Sequence, residues 1–187
     1  MIIALVGSGG KTTLLKKMAA DFRSQGKTVL VTTTTHMFIE ADTLLTDDAN
    51  EIIRVLRETG YVMAGIPEGE KIKGLSQNTF EQVCANADVV LVEADGSRHM
   101  PLKFPGASEP AIPDGTEQII VVWGPHGLGR AARDVCHRLD LVMQCLGITE
   151  ETPITQAHVR KLLQTGYLIP LRSQYPHAKI IVYPELV

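Results

Sequence analysis

Lys11 and Thr12 stand directly behind Gly7, Ser8, Gly9 and Gly10 and are followed by Thr13. Residue types in that order suit the binding of a nucleoside triphosphate. A glycine-rich turn lets the backbone curl until several N–H groups point at phosphate oxygens. A helix opening at Lys11 adds its unpaired N–H groups and the positive end of its dipole. In such a loop the Lys11 ammonium reaches the β- and γ-phosphates and the Thr12 hydroxyl sits on Mg²⁺. The motif is the short form, Gly-x-x-Gly-Lys-Thr-Thr, because the longer form asks for glycine where this chain has Leu5. An ordinary strand-to-helix turn is also rich in glycine, but it has no need of Lys-Thr-Thr behind it.

A second group follows the apolar run Val89 to Val92: Glu93, Asp95, Gly96 and Arg98. A carboxylate at a strand tip is where a nucleotide hydrolase orients Mg²⁺ or its water. Glu93 and Asp95 share one face if the strand continues. Two close carboxylates repel unless a cation or a proton lies between them, and Mg²⁺ satisfies both. Gly96 offers a backbone N–H to the γ-phosphate. Arg98 suits the stabilisation of phosphate charge or the binding of an anionic partner. Without the upstream loop, the same residues would read as a solvated turn after a core strand.

A third group is Thr32 to His36. Its hydroxyls suit Mg²⁺, a phosphate or a second substrate, although β-branched residues belong in a strand in any case. Thr34, Thr35 and His36 lie past the expected strand end, and His36 suits a metal ligand, a base or a neutral hydrogen-bond partner. His99, beside Arg98, and Lys103 are grouped with them as substrate- or partner-facing.

The elements that must position these groups alternate. Continuous apolar strands are expected at Ile2–Val6, Thr28–Thr33, Val89–Glu93, Ile119–Trp123 and Ile180–Tyr183, with a short edge strand at Tyr61–Ala64. Helices are expected over Thr12–Ser24, Asn50–Glu58, Thr79–Asn86, Asp134–Leu146 and Thr155–Thr165. Strands of this kind separated by helices imply an α/β fold with a doubly wound, mainly parallel sheet, in the three-layer arrangement of P-loop NTPases. Ligands in that fold sit at the carboxyl ends of the strands, which is where the three groups fall. Pro101–Gly115 is long for an α/β connection and marks a functional loop. Trp123–Arg133 is glycine-rich and reads equally as a lid or a surface connection.

The 187 residues, 44% hydrophobic, fit one domain, residues 1–187. A net charge of −3 gives no basic surplus for nucleic acid or an anionic membrane. No apolar run approaches a membrane span, and no basic leader precedes the first strand. Cys84, Cys136 and Cys145, odd in number and widely spaced, suit core thiols of a reduced cytoplasmic protein.

Gly7–Thr13, Val31-Thr-Thr-Thr-Thr-His-Met37, Val92-Glu-Ala-Asp-Gly-Ser-Arg-His-Met-Pro-Leu-Lys103 and Glu109–Pro113 together resemble the YqeC family. Cys136–Gly147 and Pro153–His158 are similar to its C-terminal region. The resemblance implies a P-loop NTPase serving selenium-dependent molybdenum hydroxylases, with such a hydroxylase or its cofactor-maturation proteins as partners. Asp88–Gly96 also looks like the second nucleotide motif of the metallochaperone GTPases of nickel enzymes. The short glycine loop is similar to that of the Mur ligases. No Asn-Lys-x-Asp guanine signal follows Gly166, so the nucleotide is left open between ATP and GTP.

The resulting expectation is a cytoplasmic Mg²⁺-dependent NTPase. Lys11, Glu93, Asp95 and Arg98 are its catalytic candidates. Gly7 to Thr13 and Gly96 bind the nucleotide, and Thr12, Glu93 and Asp95 hold the metal. Thr34, Thr35, His36, His99 and Lys103 meet a second substrate or partner, and a homo-oligomer stays open. The rivals are an ATP-dependent ligase or phosphotransferase acting on a small acceptor, and a slow nucleotide-dependent switch.

Overall fold

The structure is a computed structural model that describes residues 1–96 and 99–186. It is an α/β fold in which the strand pairing is mostly parallel. The chain forms two compact units, which it enters and leaves several times: residues 1–5, 12–94 and 111–117 make the first, and residues 6–11, 95–110 and 118–187 the second.

The first unit draws on β1 (Ile2–Gly7), α1 (Lys11–Ser24), β2 (Val29–Thr33), β3 (His36–Phe38), β4 (Thr43–Leu45), α2 (Ala49–Thr59), β5 (Tyr61–Glu68), β6 (Lys71–Lys73), α3 (Gln77–Cys84) and β7 (Val89–Glu93). β7 lies between β1 and β2 and runs parallel to both, with Leu5 and Thr33 each opposite Glu93. All residues of β2 and β7 are buried, as expected of apolar strands covered on both faces. β5 is longer than the expected edge strand and is not an edge: it pairs with β2, β4 and β6. His36 lies past the end of β2, as expected, and opens a further strand, β3, antiparallel to β6. The alternation of exposed His36, buried Met37 and exposed Phe38 anchors that strand by one apolar side chain. α2 shows local agreement at both ends. Asp48 caps its first turn and Gly60 closes it in the left-handed conformation.

The second unit contains β8 (Leu102–Lys103), β9 (Thr116–Val122, from Gln118 onward), α4 (Ala132–Val135), β10 (Cys136–His137), α5 (Leu139–Leu146), α6 (Gln156–Leu163), α7 (Ile169–Gln174) and β11 (Lys179–Tyr183). β11 runs parallel to β9, and β10 parallel to β8. The single helix expected over Asp134–Leu146 is broken. Cys136 and His137 leave the helix to pair with Leu102 and Lys103, and Arg138 takes a left-handed backbone at φ 57° before α5 starts. The helix expected over Thr155–Thr165 begins on a Thr155 capping box. It then runs on through a π-turn at Gln164–Leu168 into α7. Gly166 in that turn is close-packed, since a Cβ there would lie 2.9 Å from Pro105. Among the described residues, no helix is long and apolar enough to cross a membrane.

Candidate functional site

The glycine-rich turn leaves β1 at Gly7 and enters α1 at Lys11. Its glycines are needed for different reasons. Gly7 has φ +88°, and a Cβ there would lie 2.2 Å from the Val122 carbonyl oxygen. Gly9, at φ +79°, would clash with Gly124 and Pro101. Gly10, at φ +118°, has open space around it, so packing does not explain a glycine there. The backbone groups divide in the same way. The Gly7 N–H donates to Asp95 Oδ2 at 2.9 Å, and the Ser8 N–H to the Val122 carbonyl at 2.9 Å. The Ser8 hydroxyl donates to the Pro101 carbonyl. Among the described residues, the N–H groups of Gly9 and Gly10 have no protein acceptor. The buried Lys11 ammonium donates to the Gly7 carbonyl at 2.9 Å. No acidic residue lies in the first turn of α1, which leaves its positive end unneutralised from within.

Behind this loop, in the same unit, sits a buried ionic cluster. Asp95 is fully buried, and its Oδ2 accepts from both the Gly7 N–H and the Tyr167 hydroxyl, each at 2.9 Å. Its Oδ1 accepts from the Lys103 ammonium. Lys103 also donates to the Gly96 carbonyl at 2.5 Å and to Glu109 Oε2 at 2.6 Å. Glu109 in turn takes a two-pronged contact from Arg138, Nη1 to Oε2 at 2.6 Å and Nη2 to Oε1 at 2.8 Å. Two carboxylates and two cations therefore balance inside the unit, the condition under which buried charge is tolerated. Burial pushes the Asp95 carboxyl up against the opposing pull of Lys103. Burial and the Asp95 charge push the Tyr167 phenol well up, so it remains a donor. At Glu109 burial acts upward, but the Arg138 and Lys103 bonds outweigh it and hold the carboxyl far below the usual range. The break at Cys136–Arg138 now has a reason: the left-handed Arg138 delivers its guanidinium to Glu109.

In the first unit, the Thr12 hydroxyl donates to Glu93 Oε2 at 3.0 Å. Glu93, at the end of β7, is 8% exposed. A hydroxyl and a carboxylate make a hard-oxygen donor pair of the kind that suits Mg²⁺, so Thr12 and Glu93 are the residues that would hold such an ion. Among the described residues, no group of three or more His, Cys, Asp or Glu side chains could hold a metal ion on its own. The same unit carries a cavity of about 520 Å³. Thr33, Thr34, Thr35 and His36 line it, with Glu68 and Phe80 among the other lining residues. His36 Nε2 lies 2.6 Å from Glu68 Oε2, with Lys73 3.9 Å from the other carboxylate oxygen.

The family described as YqeC protein matches residues 3–140. The chain is also 31% identical over 166 residues to the uncharacterized protein YqeC of Escherichia coli (strain K12). The chain belongs to the YqeC family. The alignment with the Escherichia coli YqeC takes in 82% of this chain and 63% of that protein, so the chain spans under two thirds of that relative. No solved structure matches it.

For this YqeC family member, the structure brings the sequence-derived residues together in part. Thr12 meets Glu93, and Thr34, Thr35 and His36 line one cavity. Thr13 is exposed on α1. Asp95 and Lys103, read from sequence as a metal or water ligand and a substrate contact, are buried and bonded to each other. An apolar stretch, Pro101-Leu102-Lys103-Phe104-Pro105, takes the lysine inward, and a buried ammonium requires carboxylates. Gly96 is engaged through its carbonyl, and a side chain at that position would meet open space. His99 is exposed in a left-handed conformation at φ 61°. Ser97 and Arg98 lie outside the described residues, so the Arg98 reading does too. Glu109, Arg138, Tyr167 and Glu68 are functional candidates that the sequence reading did not single out. The signal for the first three was the buried Lys103, whose charge must be answered from elsewhere in the chain.

Proposed function

We propose that the chain is a Mg²⁺-dependent P-loop nucleoside triphosphatase. The observation that supports it most directly is the run Gly9-Gly10-Lys11-Thr12: two N–H groups without acceptors among the described residues, then an ammonium, then a hydroxyl on a buried carboxylate. In this reading the loop N–H groups and Lys11 neutralise phosphate charge. Thr12 and Glu93 hold Mg²⁺, directly or through water. The bound ion supplies further positive charge to the phosphate oxygens. Catalysis is then chiefly positioning and charge stabilisation. Asp95 acts as a positioning residue, since its carboxylate fixes the Gly7 N–H. The biological setting that the family resemblance implies, maturation of selenium-dependent molybdenum hydroxylases, belongs to the same proposal. Calorimetry with ATP, GTP and CTP, each with Mg²⁺, followed by a hydrolysis assay with the tightest binder, tests the activity. Absence of binding by all of them overturns it.

The cavity beside Thr34, Thr35 and His36 favours one second reading, transfer of the γ-phosphate or ligation to a small acceptor. Phosphate release that requires an added acceptor distinguishes this from simple hydrolysis.

A further inference from the structure

The cavity of the first unit has a hydrogen-bonding character fixed by its own threonines. A hydroxyl has one proton to give and two lone pairs to receive. The Thr33 proton goes to the Glu93 carbonyl at 2.7 Å. The hydroxyl pair Thr33–Thr35, 3.2 Å apart, must therefore use the Thr35 proton. The Thr34 proton goes to the Ala111 carbonyl at 2.6 Å. All three protons are spent on protein acceptors, and the Thr34 and Thr35 oxygens retain lone pairs. The Glu68 carboxylate is a further acceptor. The Lys73 ammonium, 3.9 Å away, offsets its charge, so the pair adds no net charge to hold a phosphate, and Lys73 stands as a donor beside the threonine acceptors. Phe80, Leu75 and Pro113 supply apolar surface. A volume of about 520 Å³ is ample for a bicyclic ring.

We infer that this cavity binds an amino-substituted aromatic heterocycle, its N–H groups donating to Thr34 and Thr35 and its ring lying on Phe80. This deepens the second-substrate part of the reading above and rests on it only for its role. The binding itself needs neither nucleotide nor Mg²⁺.

The test is calorimetric titration of the full chain, without nucleotide or metal, with 2,6-diaminopurine and with unsubstituted purine. The amino compound is expected to bind at least about tenfold more tightly, the value of one good hydrogen bond. Thr34→Val and Thr35→Val should each weaken it about five- to tenfold. Thr34→Ser, which keeps the hydroxyl, should bind like the parent and guards against a folding artefact. Lys11→Ala should also bind like the parent, which separates this cavity from a base site of the nucleotide. Four results overturn the inference: equal affinity for the two purines, no saturable binding, indifference to both valine variants, or a preference for inorganic phosphate. A separate titration with ATP and Mg²⁺ reports on the nucleotide reading, so either can fail alone.

Discussion

The Gly7 N–H donates to Asp95 Oδ2 at 2.9 Å, so the carboxylate that answers the buried Lys103 also fixes the first amide of the glycine-rich loop. Tyr167 and Lys103 hold Asp95, Glu109 holds Lys103, and Arg138 holds Glu109. The geometry of the loop is thereby tied to residues far away in the chain but within the same unit.

Asp95→Asn preserves shape and removes the charge. Lys103 keeps Glu109 and the Gly96 carbonyl but loses its most buried partner. Breaking a buried pair from one side costs about 3–5 kcal/mol, and urea unfolding at neutral pH should show a loss of that order. The double variant Asp95→Asn with Lys103→Met should recover much of it. Strict additivity of the two single changes would mean that the pair is not coupled.

Gly7→Ala and Gly10→Ala separate packing from binding. Both force an L-residue into positive φ, at a cost of about 1–3 kcal/mol. Only Gly7→Ala also drives a Cβ to 2.2 Å from a backbone oxygen. Gly7→Ala should therefore lower the melting temperature much the more. Gly10→Ala should leave most of the stability and reduce nucleotide affinity, by about tenfold if one N–H contact is lost. Equal melting shifts for the two would contradict the division of roles.

The strands β1, β2, β7, β9 and β11 were legible because each carries a continuous apolar run, and β2 and β7, buried throughout, need nothing else. The Gly7–Thr13 motif, Thr34–His36 and Glu93 were legible because local residue types carry them. The break in the helix after Val135 was not. Its cause is the pairing of Cys136 and His137 with Leu102 and Lys103 and the reach of Arg138 to Glu109. Neither contact leaves a periodicity in the local sequence. β3 likewise spans three residues with Met37 as its one buried side chain, too little to announce a strand, and it exists because β6 is there to pair with it.

Thr12 and Glu93 should separate binding from turnover. Glu93→Ala is expected to bind ATP or GTP and to lose about 100-fold or more in hydrolysis, as befits a group that acts on the metal or its water. Thr12→Ala should raise the Mg²⁺ concentration needed for half-maximal rate, while Lys11→Ala abolishes nucleotide binding. Unchanged hydrolysis in both the Lys11 and Glu93 variants would defeat the triphosphatase assignment.

Glu109 predicts the acid limb of stability. Its folded-state carboxyl is held below the ordinary value of 4.5, with the Arg138 and Lys103 bonds overcoming burial. A group depressed in this way contributes its stabilisation in full above its unfolded value and loses it as pH falls through the folded one. Melting temperature should thus decline as pH drops below about 4.5. The decline should be shallower in Glu109→Gln, which starts less stable at neutral pH. Parallel curves for the two proteins would show that Glu109 titrates alike in both states.

Cys84 and Cys136 carry the last prediction. Burial pushes both thiols up to about 11. Only the thiolate attacks an alkylating reagent, and at pH 8 a thiol titrating there is about 0.1% ionised, some hundredfold less than ordinary cysteine. Iodoacetamide labelling of the native chain, followed by intact mass, should leave both largely unmodified over a period that labels free cysteine fully. Cys136 is shielded further by its place in β10. Labelling should accelerate together with unfolding in urea. Rapid native labelling of Cys136 would mean that β10 opens from β8. Asp95→Asn should then quicken it, because β8 carries Lys103.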